Sequence, residues 1–435
     1  MYYIVEKQEQ LEKLEVTEKA FIQLIVTNPS FHPKLVRPSL VYYNNGEKGY
    51  ILTVHHSESF SLDIESVNLF LSKHKTIYLI DKKYHAYHLS VSNAVDLNLV
   101  ALDSNNEVKE YNCDTQFHKS FYQNKSNLAN VDYIIPISKH YEKCECFYDQ
   151  IKYLMGLELD TSFDNLILDA YHYVEQSGIG VIEEHIKSLY NMPNSAGVIN
   201  KGIAYSYYNL YNLTGRPTNS FKGINFLAIP KEGDYRKQFV PINDYFVEFD
   251  FDSYHLRLIA KLVGIELPNS ESIHKMLASQ YFEKSTKDIT EEEYKQAKVI
   301  TFRQLYGGVE PQYSHIEFLS CMSSYTDQEY KKYKAQSSYV LPTGRILKKH
   351  STITKHKLFN YILQNLETKT NVEKILNIKE YLKDKKTKLI LITYDAFLFD
   401  FSIEDGKEAL IEIKDILQEG EYPVKHTHGT NYSFS

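Results

Sequence analysis

The chain has 435 residues, 43% of them hydrophobic and 24% charged, with a formal net charge of −7 and a pI of about 6.2. That length supports two or three domains with sizeable cores, and the ordinary globular composition excludes disordered and fibrous classes. There is no overall basic field, so a polyanionic partner would have to meet lysines and arginines gathered on one surface. The four cysteines, Cys113, Cys144, Cys146 and Cys321, form no CxxC pair and no even framework, which fits a reducing cytoplasm and argues against structural zinc. No stretch approaches the roughly 18 uninterrupted apolar residues of a membrane span, and the opening Met-Tyr-Tyr-Ile-Val-Glu lacks a basic-then-apolar pattern. A soluble, unexported, cytoplasmic chain with no membrane partner is expected.

In chain order, residues 6–19 read as a charged helical lead-in. Strands are expected at 21–26, 40–43, 49–54 and 76–80 and helices at 67–73 and 85–95, a mixed α/β unit ending near residue 140. Residues 141–195 read as helical, in segments 141–155, 163–177 and 181–190 separated by glycine-containing breaks. A polar turn, Leu213-Thr-Gly-Arg216-Pro, follows. Residues 245–250 then form a strand that runs into a helix whose apolar face is Leu256, Ile259, Ala260 and Val263. Asp250 and Asp252 lie at that junction, where a carboxylate can hold a hard divalent cation or simply favour the positive end of a helix.

Ser272-Ile273-His274-Lys275 opens another helix, and after an acidic turn at 288–293 come Lys298, Phe302 and Tyr306, four residues apart on one helix face. A cation and two rings can seat a nucleoside triphosphate, with Lys298 on the phosphates and Phe302 under the base; a core stripe with a snorkelling lysine is the plainer alternative. Gly307-Gly308 ends the helix. Beyond the loop Leu341-Pro-Thr-Gly-Arg345, Asn360 and Gln364 form an i, i+4 pair on a helix. Residues 388–401 read as a hairpin of apolar strands with Tyr394-Asp395-Ala396 at its tip; a lone carboxylate buried there would cost several kcal/mol, so Asp395 is expected to be presented. A helix at 407–417 and a strand with alternating His426 and His428, read as surface residues, close the chain.

Asp250-x5-Leu256-Arg257, Lys298-x3-Phe302-x3-Tyr306-Gly preceded by Ile-His, and the Tyr-Asp-Ala hairpin occur in the order of the palm and fingers motifs that they resemble, those of the family A DNA polymerases, the group of bacterial polymerase I and many phage replicases. Thr-Gly-Arg216, Leu-Pro-Thr-Gly-Arg345 and the terminal Gly429-x-Asn431-Tyr432 are similar to further parts of that family. The resemblance implies an α+β multidomain protein: a palm–fingers–thumb right hand preceded by an α/β, RNase H-like (3′–5′ exonuclease-like) domain. Residues 1–140 would be the exonuclease-like domain, 141–195 a short thumb and 196–435 palm and fingers, with fingers at about 265–345. It implies two Mg²⁺ ions, or Mn²⁺, held by Asp250, Asp395 and Phe251, the two aspartates being catalytic. His255, His274, Lys298, Phe302 and Tyr306 would bind the nucleotide. Arg216, Arg345, Asn360, Gln364 and Tyr394 would contact DNA, Asn360 and Gln364 in the minor groove, where acceptors are alike for every base pair. Partners would be primer–template DNA, dNTPs and a processivity factor, in phage or mobile-element replication and, if phage-encoded, in the host cytoplasm.

Departures from the family pattern carry their own expectations. The metal-binding acids of an exonuclease are replaced by Thr27-Asn28-Pro29-Ser30 and Tyr84-His85-Ala86, so no proofreading is expected. Tyr294 stands where the family places an arginine on the triphosphate, leaving Lys295 and Arg303 as candidate substitutes. His255 replaces the glutamate that crowds the sugar 2′ position, which raises a ribonucleotide-incorporating, primase-like enzyme as an alternative. The degraded N-terminal motifs and Tyr294 raise another, a non-catalytic DNA-binding accessory.

Overall fold

The computed structural model describes residues 2–434 apart from 106, 109–110, 126–127, 158–160, 183, 185, 187–196, 220–223, 231–232 and 269–271. It divides into two compact units, residues 1–211 with 218–240, and residues 212–217 with 241–435.

The first unit is built on a six-stranded sheet of order β1-β4-β3-β2-β5-β6, from β1 (Tyr3–Val5), β2 (Lys19–Val26), β3 (Pro38–Asn44), β4 (Gly49–Thr53), β5 (Thr76–Leu79) and β6 (Ala94–Asp96). Strands β2 to β4 form an antiparallel meander, and β5 runs parallel to β2, and β6 to β5. The nearly unbroken apolar run of β2 fits a strand covered on both faces. Ala20, Ile22 and Leu24 pack with Val67, Phe70 and Leu71 of α1 (Ile64–Ser72), while Phe21 and Ile25 pack with Ile137, Cys144 and Ile151 of α2 (Ile137–Ile151). The segment expected to start a thumb therefore closes the N-terminal core, because its apolar stripe is the second cover of this sheet.

Three other expectations change. Residues 6–19 are helical only over Gln8–Leu11. Residues 85–95 are not a helix: a short helix, Lys82–His85, gives way to β6. Ser90 N donates to Asn68 and the Asn93 amide to His74 O, side-chain bonds that compete with a helical ladder. The helix expected at 181–190 lies largely outside the described residues, and its first residue ends strand β7 (Ile179–Val181). After α3 (Ser162–Glu175), a small sheet of order β10-β7-β9-β8 is completed by β8 (Ile199–Asn200), β9 (Ile203–Ala204) and β10 (Phe239–Val240). Cys113 and Cys146 are joined as a disulfide, a pairing across 33 positions that the spacing did not announce. No helix among the described residues is long and apolar enough to cross a membrane.

The second unit centres on an antiparallel sheet of order β14-β15-β11-β16, from β11 (Tyr245–Phe251), β14 (Lys388–Thr393), β15 (Ala396–Phe401) and β16 (Val424–Gly429). Phe249, Phe397 and Phe399 lie in its core, and Tyr432 of the terminal segment packs beside Phe246. Strand β11 passes through Ser253, at φ +57°, into α4 (Tyr254–Val263). Helices α5 (Ile273–Phe282) and α6 (Glu291–Gly307) pair through Ala278 and Ala297. The acidic turn before α6 is a capping box in which Thr290 and Glu293 satisfy each other's backbone donors. Helix α7 (Glu317–Ala335), the hairpin β12 (Ser338–Val340)–β13 (Ile346–Lys348) and α8 (Lys355–Tyr381) share a core at Tyr333, Leu347 and Ile362. Helix α9 (Gly406–Gln418) leads to β16.

Candidate functional site

Asp250 and Asp395 reach one place because β11 and β15 are hydrogen-bonded neighbours. Asp250 is opposite Ala396, and Phe251 N donates to Asp395 O at 3.1 Å, in a sheet whose strands lie ~4.8 Å apart. Tyr394, at φ +60°, makes the two-residue turn that carries Asp395. That turn is clamped from behind: the Asn371 amide donates to Tyr394 O at 3.1 Å, and the Tyr254 hydroxyl donates to Asn371 at 2.9 Å. Asp250 is exposed. Burial pushes the Asp395 carboxyl up, as does Glu367, while His255 and Arg216 pull it down.

These two acids could hold a divalent cation. Among the described residues no cluster of three or more His, Cys, Asp or Glu forms a ready-made metal cage. One or two carboxylates completed by water and a ligand's phosphates is, however, the coordination that Mg²⁺ favours. The Phe251 ring is buried and stacked on Tyr254 at 4.4 Å, so only its carbonyl could take part. Asp252, the other acid of the junction, is engaged by Lys425 Nζ at 2.8 Å, and that ion pair raises the lysine's pKa. Lys425, on β16 opposite Asp250, was not singled out from the sequence, although it is the cation whose field reaches Asp250, Asp252 and Tyr294 together.

Beside the acids lies a pocket of about 300 Å³ lined by Arg216, His255, His274, Phe302, Tyr306, Glu367, Tyr394 and Asp395 among others. Phe302 and Tyr306 stack nearly parallel, 6.2 Å and 8° apart, and are 46% and 38% exposed, so this helix stripe is a surface and not core. Lys298 lies over the Tyr294 ring at 4.7 Å and is not among the residues lining the pocket. His274 is buried between Tyr294 and Phe302. Burial first, and then the Lys298 charge, bring its pKa down to about 4, so it is neutral at pH 7.

The pocket floor is a chain of polar contacts. Tyr306 Oη and His255 Nδ1 are 2.6 Å apart, and His255 Nε2 is 3.0 Å from Glu367 Oε2. The Arg216 guanidinium also meets Glu367, through Nη2 to Oε1 at 3.3 Å and by charge between Nε and Oε2 at 3.0 Å, and it lies 4.4 Å over the Tyr394 ring. Glu367 is 2% exposed. It escaped notice in the sequence, although Asn360, Gln364, Glu367 and Asn371 recur at helical spacing and form one polar stripe on α8.

Some expected roles do not fit their places. Arg345 is buried and donates to Asn212 O. Asn365 bonds both Thr214 O and the Thr343 hydroxyl. The Leu341–Arg345 loop thus braces the turn that carries Arg216 and does not present a cation to DNA. Arg303 is paired with Glu310 at 3.0 Å and lies outside the pocket lining. Asn360 and Gln364 are half-buried and lie outside the pocket lining.

Residues 183–390 match the profile of DNA polymerase family A, a match that ends five positions before Asp395. No curated protein sequence matches the chain. Among solved structures it is similar to the POL domain of Pol1 from M. smegmatis, in complex with DNA primer-template and dNTP, at a TM-score of 0.71 and 12% identity over 100% of both chains. The motif order and this fold agree with that match, and residues 183–390 are identified as a DNA polymerase family A domain, the domain of a DNA-directed DNA polymerase.

Proposed function

We propose that the chain extends a primer 3′ end with dNTPs along a DNA template by two-metal nucleotidyl transfer, with Asp250 and Asp395 as metal ligands and without proofreading. The observation that carries this reading is that adjacent strands carry Asp250 and the turn of Asp395, and that Asp395 lines a pocket walled by stacked rings. Asp250, Asp395 and the Phe251 carbonyl fit two Mg²⁺ ions, which, when bound, make the primer 3′-hydroxyl a better nucleophile and neutralise charge on the triphosphate. Phe302 and Tyr306 receive the base and deoxyribose. Lys298, one helical turn away, and neutral His274, as a hydrogen-bond donor, serve the phosphates. Lys425 adds the positive charge that Tyr294 does not supply. Arg216, spread over Tyr394, positions the primer terminus. The neighbour's complex with primer-template and dNTP supports the substrate classes of this reading.

The N-terminal unit supports an exonuclease-like scaffold without nuclease function. Its sheet carries an antiparallel meander with three further strands in parallel pairing. Where nuclease carboxylates are expected, the Asn28 amide donates to Leu128 O, and His85 Nε2 accepts from Leu24 N. A single-nucleotide primer-extension assay with Mg²⁺, using wild type, Asp250→Asn and Asp395→Asn, tests the proposal: extension by the wild type alone supports it, and equal extension by all three overturns it. His255 favours one second reading, ribonucleotide incorporation, which equal use of rNTPs and dNTPs in that assay would establish.

A further inference from the structure

Glu367 is a carboxylate shut away from solvent on α8 that serves two residues from different parts of the chain. A carboxylate only accepts hydrogen bonds, so His255, at 3.0 Å, must place its proton on Nε2. In the neutral ring that leaves Nδ1 as the acceptor for the Tyr306 hydroxyl at 2.6 Å. The histidine ring is thereby held at both nitrogens, in one tautomer and one plane. Asp395, His255, Phe302 and Tyr306 line one pocket, so a triphosphate anchored at Asp395 with its base against the two rings would set its sugar against that histidine. The ring plane therefore decides the room left for a hydroxyl on the sugar, and a site held by second-layer contacts discriminates only as well as those contacts are rigid.

We propose, on the polymerase reading above, that Glu367 is the positioning residue of the sugar pocket: it locks His255 against Tyr306 and so sets how strictly the enzyme rejects ribonucleotides. The same carboxylate draws the Arg216 guanidinium across Tyr394, so the sugar pocket and the primer-side arginine are tied to one anion. The two duties are separable. Glutamine keeps an oxygen for His255 but lacks the charge that holds Arg216. Leucine fills the volume and keeps neither.

The test is the ratio of kcat/KM for a dNTP to that for the matching rNTP, measured for the full chain as wild type, Glu367→Gln, Glu367→Leu, His255→Ala and the Glu367→Leu, His255→Ala double variant. Wild-type extension of the primer, scored first, tests the polymerase reading on its own. Expected are a ratio within about threefold of wild type for the glutamine variant and a fall of at least tenfold for the leucine variant. That fall should be absent when leucine is introduced into the His255→Ala background, the non-additivity expected of residues acting as one unit. ¹⁵N imidazole spectra of the full chain add a readout independent of turnover: His255 should be Nε2-protonated in wild type and in Glu367→Gln, and a mixture of tautomers in Glu367→Leu. An unchanged ratio in Glu367→Leu, a full additive effect in the double variant, or an unchanged tautomer would each overturn the proposal.

Discussion

The acids beside the first unit's sheet differ from Asp250 and Asp395 of the second in what surrounds them. In the first unit Asp81 accepts from Tyr84 N and from the Tyr207 and Tyr211 hydroxyls, and Asp96 from Lys82 N and Tyr211 at 2.6 Å. Asp132 takes the Tyr122 hydroxyl at 2.9 Å. Burial pushes Asp96 up to about 6 and Asp132 up to about 7. In the second unit Asp250 is exposed, and Asp395 sits in a turn braced through its backbone by Phe251 and its neighbour Tyr394. What sets Asp250 and Asp395 apart is that neighbouring strands and the Asn371 amide brace the backbone that carries them, so counting carboxylates says little. The sharpest break of this comparison is chemical. Asp250→Asn and Asp395→Asn should each lower kcat at least 10⁴-fold in primer extension, about 5 kcal/mol of barrier, while Asp96→Asn should leave kcat within about twofold. A large loss from Asp96→Asn would mean that the first unit's acids also take part.

What could be read from the sequence follows the same division. The β11–α4 junction, the 388–401 hairpin and the Lys298–Tyr306 stripe are local: alternation, helical spacing and a Gly-Gly stop place them without knowledge of their neighbours. Meanings that depend on partners distant in sequence were not legible. Arg345 and Arg216 sit in similar Thr-Gly-Arg turns, yet one is buried against Asn212 O and the other lies in the pocket. Nothing near Glu367 in the chain points to His255, 112 positions away. The 141–155 helix looked like a separate element because its apolar stripe does not say which sheet it covers.

The first unit also holds a fully buried ion pair. Lys83 Nζ meets both oxygens of Glu175, at 2.7 and 2.8 Å, and lies 3.3 Å from the Tyr207 ring centre. The Tyr87 hydroxyl completes the carboxylate at 2.9 Å. Glu175→Leu should destabilise this unit by about 3–4 kcal/mol in urea unfolding, since it strands a buried ammonium, and the Lys83→Met, Glu175→Leu double replacement should recover at least half of that. A double variant as unstable as the single one would show that the polar contacts, not the stranded charge, carry the cost. Asp132 gives a smaller, pH-dependent effect. Its folded pKa lies above the unfolded carboxylate value near 3.9, so the folded state binds the proton more tightly, and stability falls as pH rises from about 4 to about 7. Asp132→Asn should therefore gain on wild type steadily as pH rises from about 4 to about 7 and level off above it, and a flat difference across that range would remove the assignment.

The smallest predicted effect separates surface rings from core rings. Phe21 and Phe302 belong to the same residue type, but Phe21 is fully buried while Phe302 is 46% exposed. Truncating Phe302 opens no cavity, so Phe302→Ala should change unfolding stability by no more than about 0.5 kcal/mol. Stacking of a base on an aromatic ring is worth about 1–3 kcal/mol when removed by alanine, so the same variant should raise the KM for a dNTP about tenfold, roughly 1.4 kcal/mol. Val299, 68% exposed on the same helix and three residues away, is outside the pocket lining, and Val299→Ala should alter neither quantity. If Phe302→Ala instead lost stability with KM unchanged, the ring would be a packing element of α6 like those of the first unit's core, and the contrast between presented and satisfied side chains would fail at the residue where it is most easily measured.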